Sequence, residues 1–405
     1  RELKVQEGGT YILKELSDTL QFDRNRIYNT NLFNSVKVEL QEVGNGQADL
    51  LINVEERWYF WPIPLFKLAD RSFNDWWYNQ NHSFQRVNYG IRLTQFNVRG
   101  RNERLRVEVQ SGFEDKVILN YRLPYIDKKQ HHGLLPEVFY ITSKNLGYET
   151  RDHLRQFILA EEQMRRSVGV SVIHTYRKRF YDYHFTGLGF YDTHINDTIA
   201  FLNPRYLGDG RTKQKFMTAT YGYQNDTRNN INYPLTGHNV FGAITKAGLG
   251  VFKNVDYWSV TARGAKYFDL GNNFYHASYV HGYWSTNDDR AQLNFYGLGF
   301  EKQYLVRGYE LDLIEGRAFG LTKNTTKKLL WKRKADISKI MPVKQFKTFP
   351  IALYGKVFFD GGYVQNYENY ENNDRLTDKF IYSLGAGLDI VTVYDVVIRL
   401  EYSQN

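Results

Sequence analysis

The chain contains no cysteine. That excludes disulfides, thiolate zinc sites and cysteine nucleophiles together, and it suits a periplasm or outer membrane, where stray thiols oxidise. Long apolar runs are missing as well. Over 405 residues the mean hydropathy is −0.56, and no segment approaches the ~20 continuous apolar residues of a membrane helix, which excludes a helical membrane protein. Proline is scarce, with 8 residues, and the opening Arg1-Glu2-Leu3-Lys4 has no methionine or apolar leader, so a processed or truncated N-terminus is expected. A catalytic constellation is also missing. The ten His are dispersed, His131-His132 falls in a predicted loop, and no Ser, His and acid group by spacing. No enzyme activity, cofactor or metal is expected.

What the sequence does have is aromatic side chains and repetition. Aromatics make up 16%, with 32 Tyr and 27 Phe; rings gathered at the two interfaces of a membrane barrel account for such a share, although a large soluble β-protein would also be aromatic. The net charge is +9 and the pI about 9.2. Its basic residues are scattered except for Lys327 to Lys347, so nucleic acid is not an expected partner.

Residues 1–57 differ in texture from the rest. Ile12, Leu13, Leu16 and Leu20 recur at helical spacing, a second short helix is predicted over Asp23 to Leu32, and strands over Ser35 to Val43 and Ala48 to Glu55 are joined by Gly44-Asn45-Gly46, a good hairpin turn. This reads as a small α/β module lacking a first strand. From Trp58 to Asn405 the pattern becomes period-two segments of about ten residues separated by polar turns, the signature of an all-β transmembrane antiparallel barrel. In Leu105 to Phe113 odd positions are mostly apolar and even ones mostly polar; in Val396 to Tyr402, Arg399 and Glu401 share the inner face, where Glu401 reads as a water-facing acid.

Strand starts are predicted near Trp58, Arg86, Glu103, Val117, Leu135, Phe157, Phe180, Lys213, Val240, Tyr257, Phe274, Arg317, Phe349, Phe380 and Asp395. That makes about fifteen, where a single-chain barrel has an even number, so sixteen are expected and the last strand is read as missing. With the N-terminus in the periplasm, odd strands rise and even strands return. Asp70 to Gln85, Asp127 to Gly133, Asp192 to Thr212, Ser285 to Gly316 and Gln365 to Asp378 are read as outer loops, and Asp269 to Asn273 and Thr392 to Tyr394 as tight periplasmic turns. The long basic stretch Lys327 to Thr348 is read as a solvated periplasmic turn in preference to a docking surface for an acidic partner.

Several of these segments carry a family likeness. Arg26 to Val38, with Leu32-Phe33 closing the helix, and Asp49 to Arg57 resemble a POTRA domain, the polypeptide-transport-associated unit next to the barrel; Asn31 stands where the family often has Gly, and Asn also tolerates left-handed φ. Asn97 to Asn102, Tyr121 to Asp127 and Tyr223 to Gly237 resemble the turns after the second, fourth and eighth barrel strands. Tyr304-Leu305-Val306-Arg307-Gly308-Tyr309-Glu310 resembles the "(V/I)RGY/F" tip of the sixth outer loop, and Ile351 to Tyr363 resembles the thirteenth strand with its "FxDxG". Together they resemble the BamA/TamA superfamily of Gram-negative outer-membrane assembly factors, and the aromatic-rich style resembles a Bacteroidota-type member.

The resemblance implies that Arg307 pairs with Asp360 inside the barrel, and parity independently turns Asp360 to the lumen with Leu353, Val357, Phe359 and Tyr363 toward lipid. It further implies insertion or translocation of polypeptides through a lateral seam at the first strand, Trp58 to Leu68. There Pro62 and Pro64 lack N–H donors, and Trp58 and Trp61 precede them. The implied partners are outer-membrane lipid, unfolded client barrels or secreted polypeptides, and periplasmic or lipoprotein accessory subunits. A two-partner secretion pore would share both features; a passive porin would need neither.

Overall fold

A computed structural model of the chain describes residues 3–69, 73, 75–79, 81–286, 290–301, 303–336, 348–368, 370–392 and 396–405. The N-terminal unit has one helix, Leu13–Asn29, where two were expected. Asp23 looks like the cap of a second helix, but its buried carboxylate accepts hydrogen bonds from Lys4 N (2.8 Å) and Val5 N (3.1 Å), so it ties down the preceding segment and the helix runs on. Asn31 takes φ 61° and turns the chain into two antiparallel strands, Phe33–Gly44 and Gln47–Glu56. Asn45 and Gly46 join them with φ 55° and 72°, the double left-handed geometry of a tight hairpin.

Among the described residues, fifteen strands then form one antiparallel sheet in chain order, from Phe60–Leu68 to Val397–Gln404. Predicted starts lie within three residues of the observed ones, with one correction: the sixth strand is Arg165–Arg177, and Phe157 belongs to an additional hairpin, Leu146–Arg151 with Leu154–Ile158. That hairpin alternates like a wall strand and turns on Asp152 and His153, both at positive φ, so its local pattern did not separate it from the sheet. Outward positions carry Val357, Tyr363, Leu388, Leu400 and Tyr402, all exposed, whereas Lys356, Asp360 and Asp389 on the opposite parity are buried. An apolar exterior around a polar interior is the inverse of a soluble β-protein and matches lipid outside.

The helix of the N-terminal unit identifies the near end of the barrel. Arg26 lies 3.5 Å over the ring of Phe180, in the turn after the sixth strand, and Asn29 Nδ2 donates to Arg228 O (3.1 Å), after the eighth. Arg177 N donates to His131 O (2.7 Å), so Asp127 to Gly133 lies at this near end and is not an outer loop. It joins an even strand, Asp115–Arg122, to an odd one, His132–Ser143, and parity alone requires that side. A second correction concerns the basic stretch. The twelfth strand, Ala318–Asp336, continues through it beside the thirteenth, Thr348–Gln365, past its last partner on the other flank, Phe274 opposite Lys328. Its pairing with the thirteenth strand resumes after a bulge between Leu329 and Trp331 and runs to Asp336 opposite Thr348; residues 337–347 lie outside the described residues. Thr392 N bonds Val396 O, while 393–395, including the predicted start at Asp395, also lie outside them, as does the beginning of the Asp70 to Gln85 loop.

Far-end loops hold most of the apolar core. Leu146, Met164, Ile195, Ile199, Tyr206 and Leu207 form one buried cluster, and Phe295, Tyr367 and Tyr370 another. The barrel wall itself is held from inside by ion pairs such as Glu108 with Arg92 (2.7 Å) and Lys67 (3.2 Å).

Candidate functional site

The connection between the eleventh strand, Phe274–Ser285, and the twelfth does not stand above the barrel but folds into it. Val306 is 1% exposed and packs with Leu298, Tyr304 and Ile314 of this loop against Phe319 and Leu321 of the twelfth strand, Val364 of the thirteenth and Ile381 of the fourteenth, Phe380–Val391. Tyr309 covers the same cluster. Apolar side chains facing the lumen at the far end thus give the loop a seat, worth about 25 cal/mol for each Å² removed from water.

At the tip, Arg307 meets Asp360. Nη2 is 2.6 Å from Oδ1, Nε is 2.8 Å from Oδ2, and the Arg307 backbone N also donates to Oδ2 at 3.1 Å. This forked arrangement fixes both position and orientation of the guanidinium. Its face lies 3.5 Å from the Phe358 ring, Nη2 also donates to Thr325 Oγ1 (3.2 Å), and Lys323 Nζ sits 3.5 Å from Oδ2 of Asp360, which is 0% exposed. Phe358, Asp360 and Gly362 share the inner face, and each answers one part of the loop. Gly362 supplies the clearance, since a Cβ there would come within 2.8 Å of Val306. Gly308 has φ 95°, its N–H bonds Glu310 Oε1 (3.0 Å), and its carbonyl accepts from Asn405 Nδ2 (3.4 Å).

Glu401 is not the water-facing acid expected. Arg307 Nη1 reaches its Oε1 at 3.0 Å, Lys356 Nζ reaches it at 2.7 Å, and Lys356 also pairs with Asp389. The lock therefore spans the thirteenth, fourteenth and fifteenth strands. Parity put Glu401 and Asp360 on the inner face, yet nothing local names partners lying on different strands.

Residues 97–394 match the Omp85 superfamily domain. The chain belongs to the Omp85 superfamily. Membership locates the barrel in an outer membrane. No curated relative matches the sequence. Among solved structures, BamA from Haemophilus ducreyi lacking POTRA domains 1–3 is similar with a TM-score of 0.56 at 15% identity, over 100% of this chain and 77% of that one. CdiB from Escherichia coli gives 0.56 at 12% identity, over 96% and 66%, and CdiB from Acinetobacter baumannii 0.50 at 13%, over 99% and 70%. At these identities the likeness is one of fold.

In this Omp85 barrel the first strand is Phe60–Leu68, so Trp58 lies just before it, exposed, with its carbonyl accepting from Trp61 Nε1 (2.6 Å). Pro62 and Pro64 lie opposite Leu93 and Ile91 of the second strand, Val87–Val98. Phe96 N bonds Tyr59 O and Ala69 N bonds Arg86 O in the same register, so odd residues hydrogen-bond the second strand and even residues turn their backbone groups to the free edge. Both missing donors therefore face that edge. Among the described residues no ladder joins it to Val397–Gln404.

The outer flank of the loop is pinned separately. Glu315 accepts from Thr150 Oγ1 (2.9 Å), Tyr370 OH (3.1 Å) and Asn373 Nδ2 (3.2 Å), and burial pushes its carboxyl above the usual range. His153 is fully buried in the added hairpin. Leu376 N donates to its Nε2 (2.9 Å), which leaves the proton on Nδ1, facing Leu313 O at 3.4 Å; burial pushes the imidazole down.

Proposed function

We propose that the protein inserts client polypeptides into the outer membrane by opening a seam along its first strand, with the N-terminal unit acting as a POTRA-like module in the periplasm. The supporting observation is the free edge of Phe60–Leu68, where Pro62 and Pro64 remove two donors from one side only. In hydrocarbon every backbone group must be paired, so an ordinary barrel closes with a complete ladder. A seam built to stay poorly paired is an edge at which an incoming strand can be templated by β-augmentation. Loop six, locked by Arg307 to the twelfth, thirteenth and fifteenth strands, sits beside that seam. The reading is non-enzymatic, with lipid, unfolded barrels and accessory subunits as partners.

The test uses the cysteine-free background. One cysteine in Phe60–Leu68 and one in the strand that closes against it should form a disulfide that abolishes client insertion while the barrel keeps its heat-resistant fold, and reduction should restore insertion. An oxidised protein that inserts clients at the reduced rate would rule out lateral opening and leave the closed secretion pore as the reading. A passive porin is disfavoured by the lumen itself, which loop six occupies from the far end.

A further inference from the structure

The turn after the eighth strand, Lys213–Asp226, is anchored at both of its ends. Residues 227–236 fold up into the lumen from the near end. Asn229 Oδ1 accepts from Leu235 N (3.0 Å) and Thr236 N (3.2 Å), Asn230 Oδ1 accepts from Asn232 N (2.7 Å) and Tyr233 N (3.1 Å), and Arg228 Nε bonds Asp226 (2.8 Å). These bonds make the turn a stiff projection. Its tip crosses to the opposite wall: Tyr233, 6% exposed, donates from OH to Asp389 Oδ2 (3.0 Å), packs with its ring tilted against Tyr354 at 5.1 Å, and lies 3.9 Å under Lys327 Nζ, which also bonds Pro234 O at 3.4 Å. Its base is touched by the N-terminal helix through Asn29 and the Arg228 carbonyl. Between tip and loop six lies a cavity of about 920 Å³ whose wall carries Lys356, Asp389 and Glu401.

The contacts run without a break. Asn29 holds the turn, Tyr233 holds Asp389, Lys356 bridges Asp389 to Glu401, and Glu401 holds Arg307. We propose that Tyr233 is a positioning residue for the loop-six lock, through which the orientation of the N-terminal unit biases whether the loop stays seated. Without the phenol, Asp389 loses one partner and draws Lys356 away from Glu401, which loosens the second acid on Arg307 but leaves Asp360 in place. A rigid turn gripped at its base and at its tip transmits a displacement of the helix to the far wall; the same turn held at one end would only plug the mouth. The inference adds regulation to the lock on which the proposed function rests, and its test reads loop position and not client insertion, so the two fail separately.

A chain of contacts becomes a coupling only when perturbing one end moves the other. Cysteines at Gln303 in loop six and at Lys379 beyond the wall, both exposed, can be spin-labelled in the full chain in lipid and their distance distribution measured. Asp360→Asn sets the signal of an unseated loop. Tyr233→Phe removes one hydroxyl bonded to a charge and should raise the unseated fraction about tenfold; adding the isosteric Asp389→Asn, which takes away the charge that pulls on Lys356, should cancel that rise. Asn29→Leu should raise it less, and the double variant Asn29→Leu/Tyr233→Phe should add nothing to Tyr233→Phe alone, as a shared path requires. If Tyr233→Phe keeps the parental distribution while Asp360→Asn shifts it, or if the Tyr233→Phe rise survives the addition of Asp389→Asn, the positioning role is wrong. If the Asn29 and Tyr233 effects multiply independently, the link to the N-terminal unit is wrong.

Discussion

At the scale of single residues, the lock is an ion pair whose worth depends on burial. Asp360 is fully buried and shares Arg307 with Glu401, whose side chain keeps 27% of its exposure. Removing one member of a buried pair leaves an uncompensated charge and costs about 3–5 kcal/mol, whereas water-exposed pairs are worth roughly 0–1 kcal/mol. Asp360→Asn should therefore impair loop seating and client insertion most, Glu401→Gln less, and Glu137→Gln, an acid bonded only to Asn120 in the described contacts, least. Equal insertion rates for the three would remove the lock from the mechanism. Gly362→Val should unseat the loop by sterics with no change of charge, read as protease access to Tyr304–Glu310. Arg307 and Asp360 were legible because a motif and a parity argument converged on them. Glu401 was not, because period two assigns a face and says nothing about which loop descends onto it.

Among elements, the added hairpin, Leu146–Arg151 with Leu154–Ile158, was hidden in the sequence. Its strands alternate as wall strands do, and only burial of His153 against Leu313 and Leu376 reveals it as part of the cap over loop six. That burial has a pH consequence. A histidine whose folded pKa is depressed contributes stability that is present above its unfolded value of about 6.5 and is lost as pH falls below it, because the unfolded segment binds the proton more readily. Glu315 acts with the opposite sign, since its raised folded pKa favours the cap as pH falls. In a Glu315→Gln background, hydrogen exchange at the Leu313 amide, which bonds His153 O, should accelerate relative to its intrinsic rate as pH falls from 7.5 to 5.5. With His153→Asn in addition, that acceleration should disappear; if it persists, His153 is not the group responsible.

Over the whole molecule, fourteen of the fifteen sheet strands could be located from sequence because lipid outside and water inside write the same two-residue period into them, while the sixth was placed on the added hairpin at Phe157. Which end each turn occupies follows from counting, and Asp127 to Gly133 was misassigned by length against that count. What no period could give is how the two ends of the lumen are filled, because Val306 and Tyr233 act on strands far away in sequence.

The free edge of the first strand has one more property. Its even residues, Phe60, Pro62, Pro64, Phe66 and Leu68, offer five carbonyls but only three amide donors. A guest strand docked there on the proposed reading would leave two of its own carbonyls unanswered in hydrocarbon, at roughly several kcal/mol each. Such an edge catches a nascent strand and then loses it to that strand's own full-length neighbour, so turnover is written into the backbone. A Pro62→Val/Pro64→Val protein should capture clients as well as the parent yet release them more slowly, accumulating a hybrid of host and guest that pulse-chase cross-linking would detect; the proline pair makes the first strand a good host because it is a poor permanent partner.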